Sequence, residues 1–85
     1  MILATASTIK EARSYKRHAD ALVGVGEYRM VLKGEYAQMV NSADGVFPSF
    51  TGVDVVAIGR SIITVRCGGS NERVRMGECT IDFVV

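Results

Sequence analysis

An α+β fold is predicted for this chain: an N-terminal amphipathic helix packed on a C-terminal antiparallel β-meander, forming a small sheet or a partly closed barrel. Three observations predict it. One capped stretch near the N-terminus repeats its apolar residues with a helical period. The last third consists of short β-branched runs separated by glycine turns. No repeat or low-complexity linker divides the 85 residues, so the chain is read as one domain over residues 1–85.

The helix is predicted over residues 8–23. Thr8 and Glu11 form a T-x-x-E capping box, and Gly24 supplies a stop. At 100° per residue, Ile9, Ala12, Tyr15, Ala19, Leu22 and Val23 share one face, while Lys10, Arg13 and Arg17 form a stripe on the other. After Gly24 and Gly26, residues 27–33 alternate, with Tyr28, Met30 and Leu32 on one side, as a half-buried strand does. Residues 35–41 fit either a short helix or a second strand turning at Gly34. Residues 42–52 carry loop signals: Asp44-Gly45, Pro48, Ser49 and Gly52.

Strands are predicted at about 53–58, 61–67, 72–76 and 79–84, separated by Gly59-Arg60, Gly68-Gly69-Ser70-Asn71 and Gly77-Glu78. Two-residue turns at 59–60 and 77–78 pair Val56 with Ile63, Met76 with Cys79 and Val74 with Ile81. The four-residue loop pairs Val65 with Val74 and Ile63 with Met76. One face then collects Val56, Ile58, Ile63, Val65, Cys67, Val74, Met76, Cys79, Ile81 and Phe83. The other collects Thr64, Arg66, Arg73, Arg75, Thr80 and Asp82, with Val53, Val55, Ala57 and Ile62 along its first-strand edge.

That polar face directs the functional reading. In this register Arg66 lies opposite Arg73 and Thr64 opposite Arg75, so three guanidinium groups share a small patch with Asp82 as the nearby acid. Like charges facing one another across strands are destabilising unless something neutralises them. Arginine's planar fork bonds phosphate in bidentate fashion, which points to a nucleic acid or a phosphorylated small molecule. Arginine on an exposed strand is also ordinary, so a solvated face or a salt-bridged subunit contact accounts for the same pattern. The helix stripe Lys10, Arg13 and Arg17 adds a weaker signal. Residues 1–33 carry six basic and three acidic groups, against a formal net charge of +1 for the whole chain. The sequence pI of about 7.8 is well below the value above about 9 usual for dedicated nucleic-acid domains.

Composition excludes several classes. With 48% hydrophobic residues and a net charge of +1, the chain is too apolar and too weakly charged for intrinsic disorder. It has no apolar run near the roughly 18 residues a membrane span needs. Two cysteines (Cys67, Cys79) and one histidine (His18) cannot supply a four-ligand zinc site within one chain. Gly24-Val25-Gly26 follows a helix and precedes a strand, the reverse of a dinucleotide-binding turn. No nucleophile is placed beside His18, so no catalytic residues, cofactor or metal are assigned, and the protein is read as a non-enzyme. The N-terminus lacks a basic leader followed by an apolar core, which together with two cysteines read as reduced thiols makes a cytoplasmic location the expectation.

Two functions therefore compete. The first is a non-enzymatic binding module for an anionic partner, nucleic acid or nucleotide, gripped by Arg66, Arg73 and Arg75 with Lys10, Arg13 and Arg17 adding field. The second is a protein–protein module, either a homo-oligomeric adaptor or a small inhibitor docking on a larger protein. A domain this small buries only about 60–65% of its chain's surface, and near-zero net charge leaves little repulsion between copies. Its interface would be the apolar strip Val53, Val55, Ala57 and Ile62, together with Phe47 and Phe50 flanking Pro48 in the central loop.

Overall fold

The computed structural model describes residues 1–35, 37, 52–77 and 79–85. Along the chain run β1 (Ile2–Ala6), α1 (Ile9–Val23), β2 (Arg29–Lys33), β3 (Gly52–Ile58), β4 (Ile63–Cys67), β5 (Ser70–Val74) and β6 (Thr80–Val84). The strands form one antiparallel sheet in the order β1-β6-β2-β3-β4-β5, which does not close into a barrel. The helix packs against β1, β6 and β3 on one face. The α+β prediction holds.

Helix α1 begins where its capping box directs. Thr8 has extended backbone, its hydroxyl accepts from the Glu11 N–H, and the Glu11 carboxylate accepts in return from the Ser7 N–H at 3.3 Å. It ends at Gly24, whose φ of +100° lies where a Cβ is disfavoured and whose N–H donates to the Asp20 carbonyl. Ala12 and Ala19 are fully covered, and Ile9 and Tyr15 pack beside them. Leu22, predicted on the buried face, is instead exposed. Leu22 lies in the last turn, beyond the covered Ala12 and Ala19.

The sequence pattern does not mark β1 as a strand, whereas β6 matches the strand expected at 79–84 but has different neighbours. Residues 2–6 form an edge strand on β6, and the Met1 and Val85 backbones bond each other across it. β6 lies between β1 and β2 and does not pair with β5, which corrects the predicted Met76–Cys79 and Val74–Ile81 pairs. As a central strand it is covered on both faces, with Ile81, Asp82 and Phe83 all buried. β5 and β6 run in the same direction yet are joined by residues 75–79 alone. An extended segment of that length reaches about 17–20 Å, so the sheet must curl to bring β5 toward β6. The core agrees, since Val74, Met76 and Cys79 pack into the same cluster as Ile81 and Phe83.

β3, β4 and β5 form the predicted meander, but with the two loop lengths exchanged. Ile58 pairs with Ile63 across a four-residue loop at 59–62, and Cys67 pairs with Ser70 across the two-residue turn Gly68-Gly69. A bulge between Val55 and Ala57 inserts Val56 as an extra residue. That residue reverses the alternation upstream of it: Val53 and Val55 are buried in the core, and Val56 is exposed. The predicted assignment of these three side chains is thereby corrected. Phe83 anchors the core, with the Tyr15 and Tyr28 rings at 6.4 and 6.1 Å. The segment at 38–51, including Phe47 and Phe50, and most of the 35–41 alternative lie outside the described residues, although Ala37 is buried in the core.

Candidate basic groove

The stripe Lys10, Arg13 and Arg17 follows from helix geometry. Spacings of three and four residues keep the three side chains within a 60° arc. All three are exposed, on the side of α1 that the buried Ala12 and Ala19 leave outward. Across from them stands the loop joining β3 to β4. The Gly59 N–H donates to the Ile62 carbonyl at 2.8 Å, and a Cβ at Gly59 would meet that oxygen at the same distance. This tight loop holds Arg60 toward the helix. Ile9, Lys10, Arg13, Arg17 and Arg60 together line a groove of about 500 Å³. A second hollow of about 330 Å³, lined by Arg13, Lys16, Arg17 and Ile58, shares two of its arginines.

The electrostatics of the groove are one-sided. Among the described residues, no acidic group stands within ion-pair distance of Lys10, Arg13, Arg17 or Arg60. The nearby acids are engaged elsewhere: Glu11 in the helix cap, and Asp20 with Lys16 at 3.3 Å and with the Tyr28 hydroxyl. The helix macrodipole sharpens the contrast. Cations are favourable at a helix C-terminus by about 0.3–1 kcal/mol each and unfavourable near its N-terminus. Yet Lys10 lies in the first turn, and the last turn holds no basic residue. Lys10 thus stands against the helix's own field, and a negatively charged group beside it in the groove would relieve both the lysine and the dipole.

The chain matches no family model, no curated protein and no solved structure. The groove must therefore be interpreted from its own residues.

The sheet arginines gather less closely than the predicted register implied. Arg66 faces Asn71 on one side and Asp54 on the other, Arg73 faces Thr64, and Arg75 lies beyond the end of β5. Arg66 and Arg73 are diagonal neighbours and not directly opposed. A two-residue turn in place of a four-residue loop displaces the pairing by two positions, which preserves each face while changing every partner. The surrounding face is also charge-balanced in part. Arg29 Nε lies 3.6 Å from the Asp54 carboxylate, and Lys33 Nζ lies 3.4 Å from that of Asp82.

The structure thus keeps the helix stripe, joins to it a residue the sequence reading missed, and disperses the sheet cluster. Arg60 carried one signal in the sequence, a cation in a turn between two strands, but its approach to the helix is a tertiary event. His18 is exposed, and Cys67 and Cys79 are buried in the core. Among the described residues, no three His, Cys, Asp or Glu side chains are grouped to hold a metal ion. No helix among them is long and apolar enough to cross a membrane.

Proposed function

We propose that this protein is a non-enzymatic binding module for an anionic, phosphate-bearing partner, nucleic acid or nucleotide, which it takes up in the groove between α1 and the 59–62 loop. Lys10, Arg13 and Arg17 form one wall and Arg60 the other. The observation that supports the reading is the convergence of four cations from two elements with no acid of the described residues paired to any of them. An arginine fork matches a phosphate's oxygens, and lysine adds a point charge. Arg66 and Arg73, on the opposite face of the sheet, contribute only to the long-range field.

The test is a titration of isotopically labelled protein with a mononucleotide and with a short oligonucleotide, followed by amide shifts. Shifts centred on residues 10–17 and 59–62 are expected, together with their loss in the charge-reversed Arg17→Glu/Arg60→Glu variant. Shifts confined to β4 and β5 would move the site to Arg66 and Arg73 and reject the groove.

A second reading, a protein–protein module, is favoured by one feature. Leu22 and Val25 at the C-terminal end of α1 are exposed, as are Met1, Ile2 and Val85, which pair at one end of the sheet. Because α1 runs back along β1, these apolar side chains lie at the same end of the fold. The predicted strip cannot serve in its original form, because Val53 and Val55 fill the core. Light scattering across a hundredfold concentration range distinguishes a self-associating chain from a monomer.

A further inference from the structure

Within the groove reading, the geometry points to a more specific ligand. We propose that the groove binds the phosphodiester backbone of double-stranded nucleic acid and does so without reading bases; this rests on the groove being an anion site at all.

Three observations carry the step from anion to backbone. First, the cationic wall is long and straight. Lys10, Arg13 and Arg17 extend over about 10.5 Å of helix axis, at 1.5 Å per residue. Phosphates of one duplex strand rise about 3.4 Å each along its axis while also turning around it, so they stand farther apart than that rise and the stripe reaches about two to three of them. Arg60 on the opposite wall supplies one more contact and lets the groove straddle a strand.

Second, among the described residues the groove offers no ring or amide with which to hold a base. Its lining is four cations and Ile9, without an aromatic ring, an amide or a carboxylate. A mononucleotide site normally encloses its ligand between apolar walls with a few converging polar groups. Of the side chains that read base edges, the groove holds only arginine and lysine, whose donors address guanine, and cations engaged with phosphates are not free for that readout.

Third, single strands are normally held by stacking successive bases on exposed aromatic rings. Among the described residues every aromatic ring is turned to other use. Tyr15 and Tyr28 pack on Phe83, and Phe83 itself is fully buried. A rigid duplex, which presents its phosphates without needing its bases held, suits this surface better than a flexible strand.

The experiment is fluorescence anisotropy with the full chain and labelled 20-base-pair duplexes: two DNA sequences unrelated to each other, and an RNA duplex. An oligo-dT strand of equal length and ATP serve as competitors, between 25 and 150 mM salt. The two DNA duplexes are expected to bind within about twofold of each other. The slope of log affinity against log salt should lie between about −2.7 and −3.6, set by three to four phosphate contacts. Arg17→Gln and Arg60→Gln should each make that slope shallower by about 1, while Arg66→Gln/Arg73→Gln leaves it unchanged. All these side chains are exposed, and an unchanged urea midpoint confirms that each variant folds. The better-bound of the DNA and RNA duplexes identifies the source of the backbone. Displacement by ATP at equal phosphate concentration, tighter binding of oligo-dT, or a tenfold preference between the two DNA sequences would overturn the backbone proposal while leaving the groove an anion site. No binding to any of these probes, or binding indifferent to Arg17 and Arg60, would overturn both.

Discussion

The Tyr28 hydroxyl donates to the Asp20 carboxylate, tying the last turn of α1 to the residue that precedes β2. The same hydroxyl reaches the Lys16 carbonyl at 3.5 Å, and the Tyr28 ring packs on Phe83. The tie therefore joins the helix end, the second strand and the core in one place. The Tyr28 hydrogen bond, and Lys16 after it, hold the Asp20 carboxyl below its ordinary 3.8 against the opposing effect of burial. Burial, with the hydrogen bond and charge of Asp20, pushes the Tyr28 phenol up to about 12.

These shifts give the fold a pH signature with a defined sign. Between pH 10 and about 12 the folded chain retains the Tyr28 proton that the unfolded chain releases, so stability falls as pH rises through that window. At the acid end, the Asp20 contribution is present above 3.8 and is lost as pH falls through the lower folded value. Tyr28→Phe should lower the urea midpoint at pH 7 and flatten the alkaline limb. Urea unfolding from pH 3 to pH 12 measures both, and an alkaline limb unchanged in the variant would assign the effect to other groups.

The turn between β4 and β5 is predicted to depend on its second glycine more than its first. Gly68 and Gly69 have φ of +56° and +87°, the pattern of a type I′ hairpin turn. Gly69→Val should cost about 1–2 kcal/mol, because a β-branched residue is strained there. Gly68→Asn should change stability by only a few tenths of a kcal/mol, since asparagine tolerates the left-handed region. Thermal unfolding of the two variants makes the comparison.

Asp82 is a buried acid with two partners, each from a different strand. It accepts from the Thr5 hydroxyl at 2.9 Å and pairs with Lys33 at 3.4 Å. Lys33→Met leaves the carboxylate buried without a counter-charge and should destabilise the fold by about 1–3 kcal/mol. Adding Asp82→Asn should recover most of that loss, because the amide keeps an acceptor for Thr5 and carries no charge. A double-mutant cycle by urea unfolding tests the coupling; additive losses would show that the ion pair contributes nothing.

The bulge at Val56 gives opposite expectations for two residues that the sequence placed on one strip. Val55→Lys buries an unpaired charge in the core and should cost about 3–5 kcal/mol. Ile62→Lys, in the exposed loop, should stay within about 0.5 kcal/mol. Circular dichroism with urea titration separates them. Equal losses would mean that both side chains share one environment.

Local periodicity was a sound guide wherever neighbours in the chain are neighbours in space. The capped helix, its buried Ala12 and Ala19, and the inward faces of β4 and β5 were all legible, as was the stripe Lys10, Arg13 and Arg17. The dispersed sheet arginines show the limit of that guide. Moving a pairing by two positions leaves the face pattern intact, so alternation cannot distinguish the predicted register from the observed one.

By itself, then, the sequence determined the α+β class, the helix with its cap, and which strand residues of β4 and β5 face inward. These depend on spacings of two to four residues, which the chain carries in its own order. Only the tertiary structure decided that residues 2–6 form a strand, that β6 lies between β1 and β2, that Val53 and Val55 are core, and that Arg60 lines one groove with the helix stripe. Each of those depends on backbone pairing or loop placement, and Thr5 and Asp82 meet across 77 positions. Strand backbones offer the same N–H and C=O groups whatever their side chains, so the choice of distant partner is made by the packing of the whole core.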